Sequence, residues 1–432
     1  MPDGRPDRPN VVVFFTDQQR SDATGAGGNP LDLTPNFDRF AARGMHVPYA
    51  FTCQPVCAPA RAALQTGRYP TATGVYRNGL ALPQDERTLA HHFAAAGYDT
   101  AYVGKWHLAD YGTDPVPVEA RGGYDHWVAA DVPELMSDAY DARLFDGAGT
   151  ELRLPGYRAD AYVDAAIDYL ARPHDRPFFL FCSITEPHHQ NSRDDYPAPD
   201  GYRERYDGRW TPPDLAALGG TSAEQMGGYW GMVKRVDEAF GRLLDALRSR
   251  GLLDDTVVAF TSDHGCHFKT RNDEYKRSAH EASIRIPMAL AGPGVDGRGP
   301  VTRLASLIDL PPTLLEAAGL PAVPGMHGRS LLSGDDRPDD VFVQISESQV
   351  GRALRTRRWK YAVTAPDADG WDDAGAKRYV ESALYDLDAD PYELTNLAGD
   401  PAYAEVAATL RDRLAERMVE AGEERPEIVP PA

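Results

Sequence analysis

Basic residues are in short supply. The chain of 432 residues carries 45 Lys and Arg against 65 Asp and Glu, a formal net charge of −20. A phosphate backbone needs a basic surface, so nucleic acid is excluded as a partner class. Cysteine is scarce too: four residues, at 53, 57, 182 and 266, too few and too irregularly spaced for a disulfide framework. No apolar run is long enough to span a bilayer. Residues 1–10 are polar and lack the apolar core of a signal peptide, so the protein is expected in the cytoplasm, free of membrane. Internal repeats and low-complexity tracts are absent as well. With 42% hydrophobic and 25% charged residues the composition is that of a soluble globular protein. The length exceeds one ordinary core, so two domains are expected.

What is present is a series of buried-strand patterns. Residues 11–15 (VVVFF) form a continuous run of strand formers, the pattern of a strand covered on both faces in a parallel sheet. Further strands are expected over 99–103, 177–184, 256–262 and 284–291. Thr34 and Pro35 start a short helix as N-cap and first residue. Other helices are expected over 86–96, 158–171 and 223–250. In the last, Met226, Trp230, Val233, Val236, Phe240, Leu243, Leu244 and Leu247 keep helical spacing and read as core. Residues 109–156 and 191–220 look like loops, which commonly carry specificity on such scaffolds. The alternation predicts an α/β domain over 1–334, a doubly wound, mostly parallel sheet sandwiched by helices. After a turn-rich stretch at 333–338, alternating strands (341–346, 353–363, 384–387) and a helix over 402–421 predict a small α+β domain over 338–432 with an antiparallel sheet.

The stretch Cys57-Ala58-Pro59-Ala60-Arg61 reads as a reactive cysteine at a helix N-terminus. Pro59 suits a first turn, Ala60 to Gln65 are mostly helix formers, and Gly67 can close the helix. Free N–H groups and the macrodipole there favour an anion, and Arg61 lies one turn on. Four expected strand ends carry polar clusters: Asp17 and Gln18, Lys105 and His107, His188 and His189, Asp263 and His264. Groups at the carboxyl ends of buried strands converge in this architecture. Asp17, Gln18 and Asp263 offer oxygens and His264 a nitrogen. That set suits Ca²⁺ or Mg²⁺ and leaves Mn²⁺ and Zn²⁺ open. On an extended segment residues two apart face one way, so Lys105 and His107 can share an anion while Trp106 packs behind.

Cys57, Pro59 and Arg61 resemble the Cys-x-Pro-x-Arg core of the type I sulfatases, of the alkaline-phosphatase-like superfamily. Gly104-Lys105-Trp106-His107, Pro187-His188, Asp263-His264-Gly265, Arg285-Ile286-Pro287 and the stretches 325–331, 358–361, 384–387 and 390–393 fit the same family in order and spacing. Lys276, before Ser278-Ala279-His280, resembles its second sulfate-binding lysine; His267, Arg271 and His280 lie nearby without an assigned role. Ala60 stands where the family usually has Ser, and Gln18 where it usually has Asp. The resemblance implies that a maturation enzyme converts Cys57 to formylglycine, whose hydrate attacks the sulfur of a sulfate ester. It implies one divalent cation, most often calcium, held by Asp17, Gln18, the Cys57-derived group, Asp263 and His264. Arg61 would activate the hydrate, Lys105 and Lys276 would hold the sulfuryl oxygens, His188 would protonate the leaving oxygen, and His107 would take the proton that releases sulfate. The substrate would be a small-molecule or carbohydrate sulfate ester. Two alternatives stay open: a phosphonate monoester or phosphodiester hydrolase on the same site, and a non-catalytic anion binder if Cys57 is not converted. Oligomeric state and the identity of the alcohol are unspecified by the sequence.

Overall fold

The computed structural model describes residues 8–333 and 338–431. Residues 1–7 of the polar start and 334–337 of the expected domain boundary lie outside the described residues. The chain builds a nine-stranded sheet. From one edge its order is Met45–His46, Met288–Ala291, Thr256–Ser262, Asn10–Thr16, Phe178–Ser183, Asp99–Lys105, His126–Ala130, Ala142–Phe145 and Glu151–Leu154. The five strands from Thr256–Ser262 to His126–Ala130 run parallel, and antiparallel strands flank them on both sides. The doubly wound α/β expectation therefore holds, with a parallel centre in a mixed sheet.

Strand side chains alternate between faces, and the first strand divides accordingly. Val11, Val13 and Phe15 pack with helices Cys57–Thr66, Leu89–Ala95 and Leu310–Ala317. Val12 and Phe14 pack on the other face with Pro35–Arg43, Arg158–Leu170 and Ser222–Ser249. Five buried apolar residues in a row are what a strand with helices on both sides requires.

Several expectations are corrected. Residues 109–156 are not one long loop: they hold His126–Ala130, Ala142–Phe145 and Glu151–Leu154, which widen the sheet. Residues 191–220 include two short helices, Tyr202–Tyr206 and Pro213–Leu218. The run 284–291 is two strands, because Pro287 cannot donate to a ladder. Arg285–Ile286 joins a small sheet with Ala50–Phe51 and Ala305–Ser306, while Met288–Ala291 joins the large one. The helix expected over 86–96 is Leu89–Ala95; a capping box between Thr88 and His91 fixes its later start. The single strand expected over 353–363 is a hairpin of Gly351–Thr356 and Trp359–Thr364.

The second sheet orders Asp340–Ile345, Gly351–Thr356, Trp359–Thr364 and Arg378–Asp386 antiparallel, with Glu427–Val429 added parallel at one edge. Leu410, Leu414 and Met418 of helix Ala404–Glu420 cover it. It docks beside the Cys57 helix: Gln344 N donates to Cys53 O at 2.8 Å, and Cys53, Ala63 and Tyr69 share its apolar cluster.

Thr34 does not cap its helix through its side chain. Its Oγ1 instead accepts from Gly25 N at 2.9 Å. The free N–H groups of Asn36 and Phe37 donate to Asp237 on the 28-residue helix Ser222–Ser249, at 3.0 and 2.8 Å. A buried carboxylate from a neighbouring helix thus replaces the local cap, a substitution that local sequence does not reveal. Asp237→Ala should destabilise the fold by about 2–3 kcal/mol, the cost of leaving two enclosed N–H groups unpaired, read from urea unfolding; Asp237→Asn, which keeps an acceptor, should cost less.

Candidate active site

Cys57 is the first residue of helix Cys57–Thr66, and Gly67 closes that helix in the left-handed conformation at φ +69°. The side chain is therefore not on a free loop: Cys57 is 2% exposed. Ala58 N, next along, donates to Asn78 Oδ1 at 3.0 Å. Around the sulfur the sheet delivers its strand-end residues. Asp17 follows Asn10–Thr16, Asp263 and His264 follow Thr256–Ser262, and Lys105 ends Asp99–Lys105. Gly104 makes the last of these possible. It sits at φ +102°, and a Cβ there would lie 1.9 Å from the Ser183 carbonyl oxygen of the adjoining strand.

Four charged side chains form the floor. Arg61 Nη2 lies 2.9 Å from Asp17 Oδ2 and 3.4 Å from Asp263 Oδ2, and Lys105 Nζ lies 2.8 Å from the same Asp17 oxygen. All four side chains are almost fully enclosed. Arg61 Nη1 donates to Lys105 O and to Ser183 Oγ, each at 2.8 Å, which pins the guanidinium to two strand ends. Burial and the Cys57 thiolate raise the Asp17 carboxyl, but Lys105, His188 and Arg61 overcome them and hold it well below the usual range. Asp263 behaves oppositely: burial and the nearby Asp17 push it up to about 6. Cys57 is held well below an ordinary thiol although burial opposes this, because Lys105, Lys276, His264 and a hydrogen bond from His107 favour its anion.

Asp17, Cys57, Asp263 and His264 bring four ligand atoms within 4.8 Å of one another, all buried. His264 Nδ1 donates to Gly265 O at 3.0 Å. That fixes the tautomer and turns the Nε2 lone pair toward Cys57 Sγ (3.4 Å), Asp263 Oδ1 (3.5 Å) and Asp17 Oδ1 (3.7 Å). Two crowded carboxylates and an oriented imidazole nitrogen fit a divalent cation, which would relieve their mutual repulsion. Gln18 is engaged elsewhere: its Oε1 accepts from His189 N at 3.2 Å and its Nε2 faces Cys266. Its amide would have to turn from His189 to act as a ligand.

Lys276 Nζ reaches Cys57 Sγ at 2.9 Å and His188 Nε2 at 3.3 Å. His188 Nδ1 donates to His189 O at 2.6 Å, and burial with the Lys276 charge lowers its basicity. His189 stacks between His188 and Tyr275, with centroids 4.4 and 4.3 Å away. His107 does not continue the strand; it takes φ +58°, so its approach to Cys57 comes from a turn rather than from strand alternation with Lys105. Trp106 is buried against Tyr102. His267 supports Lys276 by donating to its carbonyl at 2.9 Å. Arg271 donates to the carbonyls of Tyr392 and Glu393, and His280 contacts Ser278 and Tyr385.

Comparison with known proteins gives this geometry a family. The sulfatase model matches residues 9–320. The chain belongs to the sulfatase family. A second model, that of the N-sulphoglucosamine sulphohydrolase C-terminal region, matches residues 273–420. An ulvan-active sulfatase of Formosa agariphila is 32% identical, covering 97% of this chain and 83% of the relative. An N-acetylglucosamine-6-O-sulfatase of Bacteroides thetaiotaomicron is 25% identical over 95% of this chain and 86% of its own length. The solved structure of a sulfatase from Bacteroides fragilis superposes with a TM-score of 0.84 at 27% identity, covering 98% of both chains. This sulfatase is a sulfuric ester hydrolase.

Glu134 was not expected. It comes from the stretch read as a loop, is 4% exposed, and pairs with Lys105 opposite Asp17. Its second carboxylate oxygen has no partner among the described residues. Burial opposes its ionisation, yet Lys105, His107 and His188 hold it low. Glu134 is a positioning residue for Lys105 and lies outside the cluster of candidate ligands. Glu134→Gln should lower sulfatase kcat/KM by about tenfold or more, because Lys105 loses one of two anchors in a site that works by preorganised charge. Divalent-cation binding, measured by calorimetry on the same variant, should be unchanged.

Proposed function

We propose that this sulfatase cleaves the sulfate ester of a carbohydrate, with Cys57 converted to formylglycine by a maturation enzyme. One divalent cation, calcium foremost, would be held by Asp17, Asp263, His264 and the Cys57-derived group, with Gln18 joining if its amide turns. The observation that carries this reading is Cys57 itself: first in its helix, with Lys276 Nζ at 2.9 Å and His264 Nε2 at 3.4 Å. The carbohydrate part is supported by the relative named for N-acetylglucosamine 6-O-sulfate chemistry.

The formylglycine hydrate would supply an oxygen nucleophile, and the cation charge relief on the sulfuryl oxygens. The chain's own groups do the rest. Arg61 aims the Asp17 and Asp263 carboxylates and favours their ionised forms. Lys105 and Lys276 draw the sulfuryl oxygens as charge spreads onto them. His188 Nδ1 is committed to the His189 carbonyl, so only Nε2 can face a leaving oxygen. A proton there makes the ring cationic, and Lys276 Nζ stands at 3.3 Å to share it. His107, which lies close enough to Cys57 to favour its anion, would act as base in the step that frees sulfate.

Peptide mass spectrometry on protein co-expressed with a maturation enzyme should find Cys57 converted, and Cys57→Ala should abolish turnover. Full activity with only the thiol detected would sink the reading. His188→Ala should slow alkyl sulfates by about a hundredfold or more and spare aryl sulfates of acidic phenols, which need little protonation. Rapid-quench kinetics on His107→Ala should show a burst of alcohol followed by a stalled steady state, since the first half-reaction outruns the second. A burst in His188→Ala and leaving-group dependence in His107→Ala would reverse the two roles.

A further inference from the structure

Residues that the scheme above does not use pack beside the Cys57 helix, joined to it through Asn78. Tyr76-Arg77-Asn78 follows the short helix Pro70–Thr73. Asn78 fastens this segment at both ends of its side chain and backbone. Its Oδ1 accepts from Ala58 N, beside Cys57, at 3.0 Å, and its own N–H donates to Glu347 Oε1 at 2.7 Å. Glu347 belongs to the second sheet's first connection. Its other carboxylate oxygen accepts from Arg277 Nε, beside Lys276, at 2.5 Å, and its N–H donates to Gly370 O at 2.8 Å. Gly370 has no room for a side chain, since a Cβ would lie 2.8 Å from Glu347 O. Trp371 comes next and is 47% exposed. Two segments nearly three hundred residues apart are thereby clamped together, and the clamp holds the backbone neighbours of both Cys57 and Lys276.

Arg77 sits where they meet. Its guanidinium lies 5.8 Å from the Trp371 ring centre and 6.0 Å from that of Tyr76, and Tyr76 OH donates to Asp372 O at 3.0 Å. Nη1 donates to Asn78 O at 2.9 Å. Nε is buried and has no partner among the described residues. No carboxylate among the described residues pairs with Arg77. Asp110 Oδ1 and Arg77 Nη1 both lie near Gly79 without forming an ion pair, and Asp369 and Asp373 are turned onto the backbone of their own loop. A guanidinium with no carboxylate partner, one residue before the Asn78 that accepts from Ala58 N, is a ready oxyanion donor in a protein of net charge −20; with Nε enclosed and Nη1 partly spent on Asn78 O, Nη2 is the group left to meet the anion. An exposed indole beside it offers a flat apolar face of the kind that stacks on a sugar ring.

We propose that Arg77 and Trp371 form a subsite for an acidic sugar unit adjoining the one that carries the scissile sulfate. Trp371 takes the ring's apolar face, and Arg77 pairs with an oxyanion on it, a uronate carboxylate or a second sulfate. This deepens the carbohydrate reading above and rests on it.

The test uses the matured enzyme and three sulfated disaccharides that differ only in the neighbouring unit: a uronate, its carboxyl-reduced form, and a second sulfate. Wild type should prefer an acidic form over the reduced one by about tenfold or more in kcat/KM, mainly through KM. Preference for the uronate or for the second sulfate identifies the source of the oxyanion. Arg77→Met should erase the preference, and Arg77→Lys should restore part of it. Trp371→Ala should lower kcat/KM on all three relative to 4-nitrophenyl sulfate by about tenfold. A wild type with no preference, or an Arg77→Met variant that keeps it, overturns the proposal. The uronate disaccharide without its scissile sulfate is also titrated by calorimetry. Binding that Arg77→Met weakens tenfold supports the subsite even if no ester is cleaved, in which case only the catalytic reading fails. No heat with wild type overturns the subsite itself.

Discussion

The site depends on one buried ionic contact, that of Asp17 with Arg61 and Lys105. Removing three charges from water is expensive, and their attraction offsets that cost only if the geometry is held and the remaining donors are met. The surrounding structure supplies both. Arg61 is anchored to the Lys105 carbonyl and Ser183 hydroxyl, Lys105 to Glu134, and Asp263 accepts the N–H groups of Gln18 and His264 at 3.0 and 2.8 Å. The parallel centre of the sheet places the strand ends that carry these groups, and the Cys57 helix delivers Arg61 one turn beyond its first residue. Fold and site are therefore a single electrostatic arrangement: loosening any strand end would leave an uncompensated buried charge.

The division of labour among the basic groups follows from what each can touch. Lys105 is tied to two carboxylates and enclosed, so it is a fixed positive charge in the floor. Lys276 is paired with no carboxylate among the described residues and faces sulfur and imidazole instead. The histidines differ similarly. His264 and His188 each commit Nδ1 to a carbonyl, which aims Nε2 at the centre, whereas His189 is spent on stacking and on Gln18.

Much of this was legible in the sequence because it rests on local rules. An unbroken VVVFF run has few alternatives to a doubly covered strand, and polar pairs directly after such strands fall at one edge of the sheet. Cys57, Pro59 and Gly67 announce a helix start and stop within a dozen residues. What was not legible depends on contacts between distant segments. Asp237 caps a helix two hundred positions away, and nothing near Thr34 signals the replacement. Glu134 lies in the short turn Pro133–Leu135 among strands of four or five residues, too short for a legible periodic pattern. His107 leaves the strand through a left-handed residue, which strand alternation does not anticipate. Pro287 was visible, but that it divides one apolar run between two sheets is a matter of topology.

The catalytic floor and the rim over it are made by different parts of the chain. The floor is buried and charge-balanced, so it tolerates little change. The rim is carried by an exposed loop of the second sheet, fastened at Gly370 and Glu347 and held again through backbone carbonyls, those of Asp372 and Ala374, so its outward side chains can vary in chemistry. A scaffold divided this way can exchange the alcohol it recognises by altering a handful of solvent-facing residues, while the costly buried ion pairs beneath them are inherited intact.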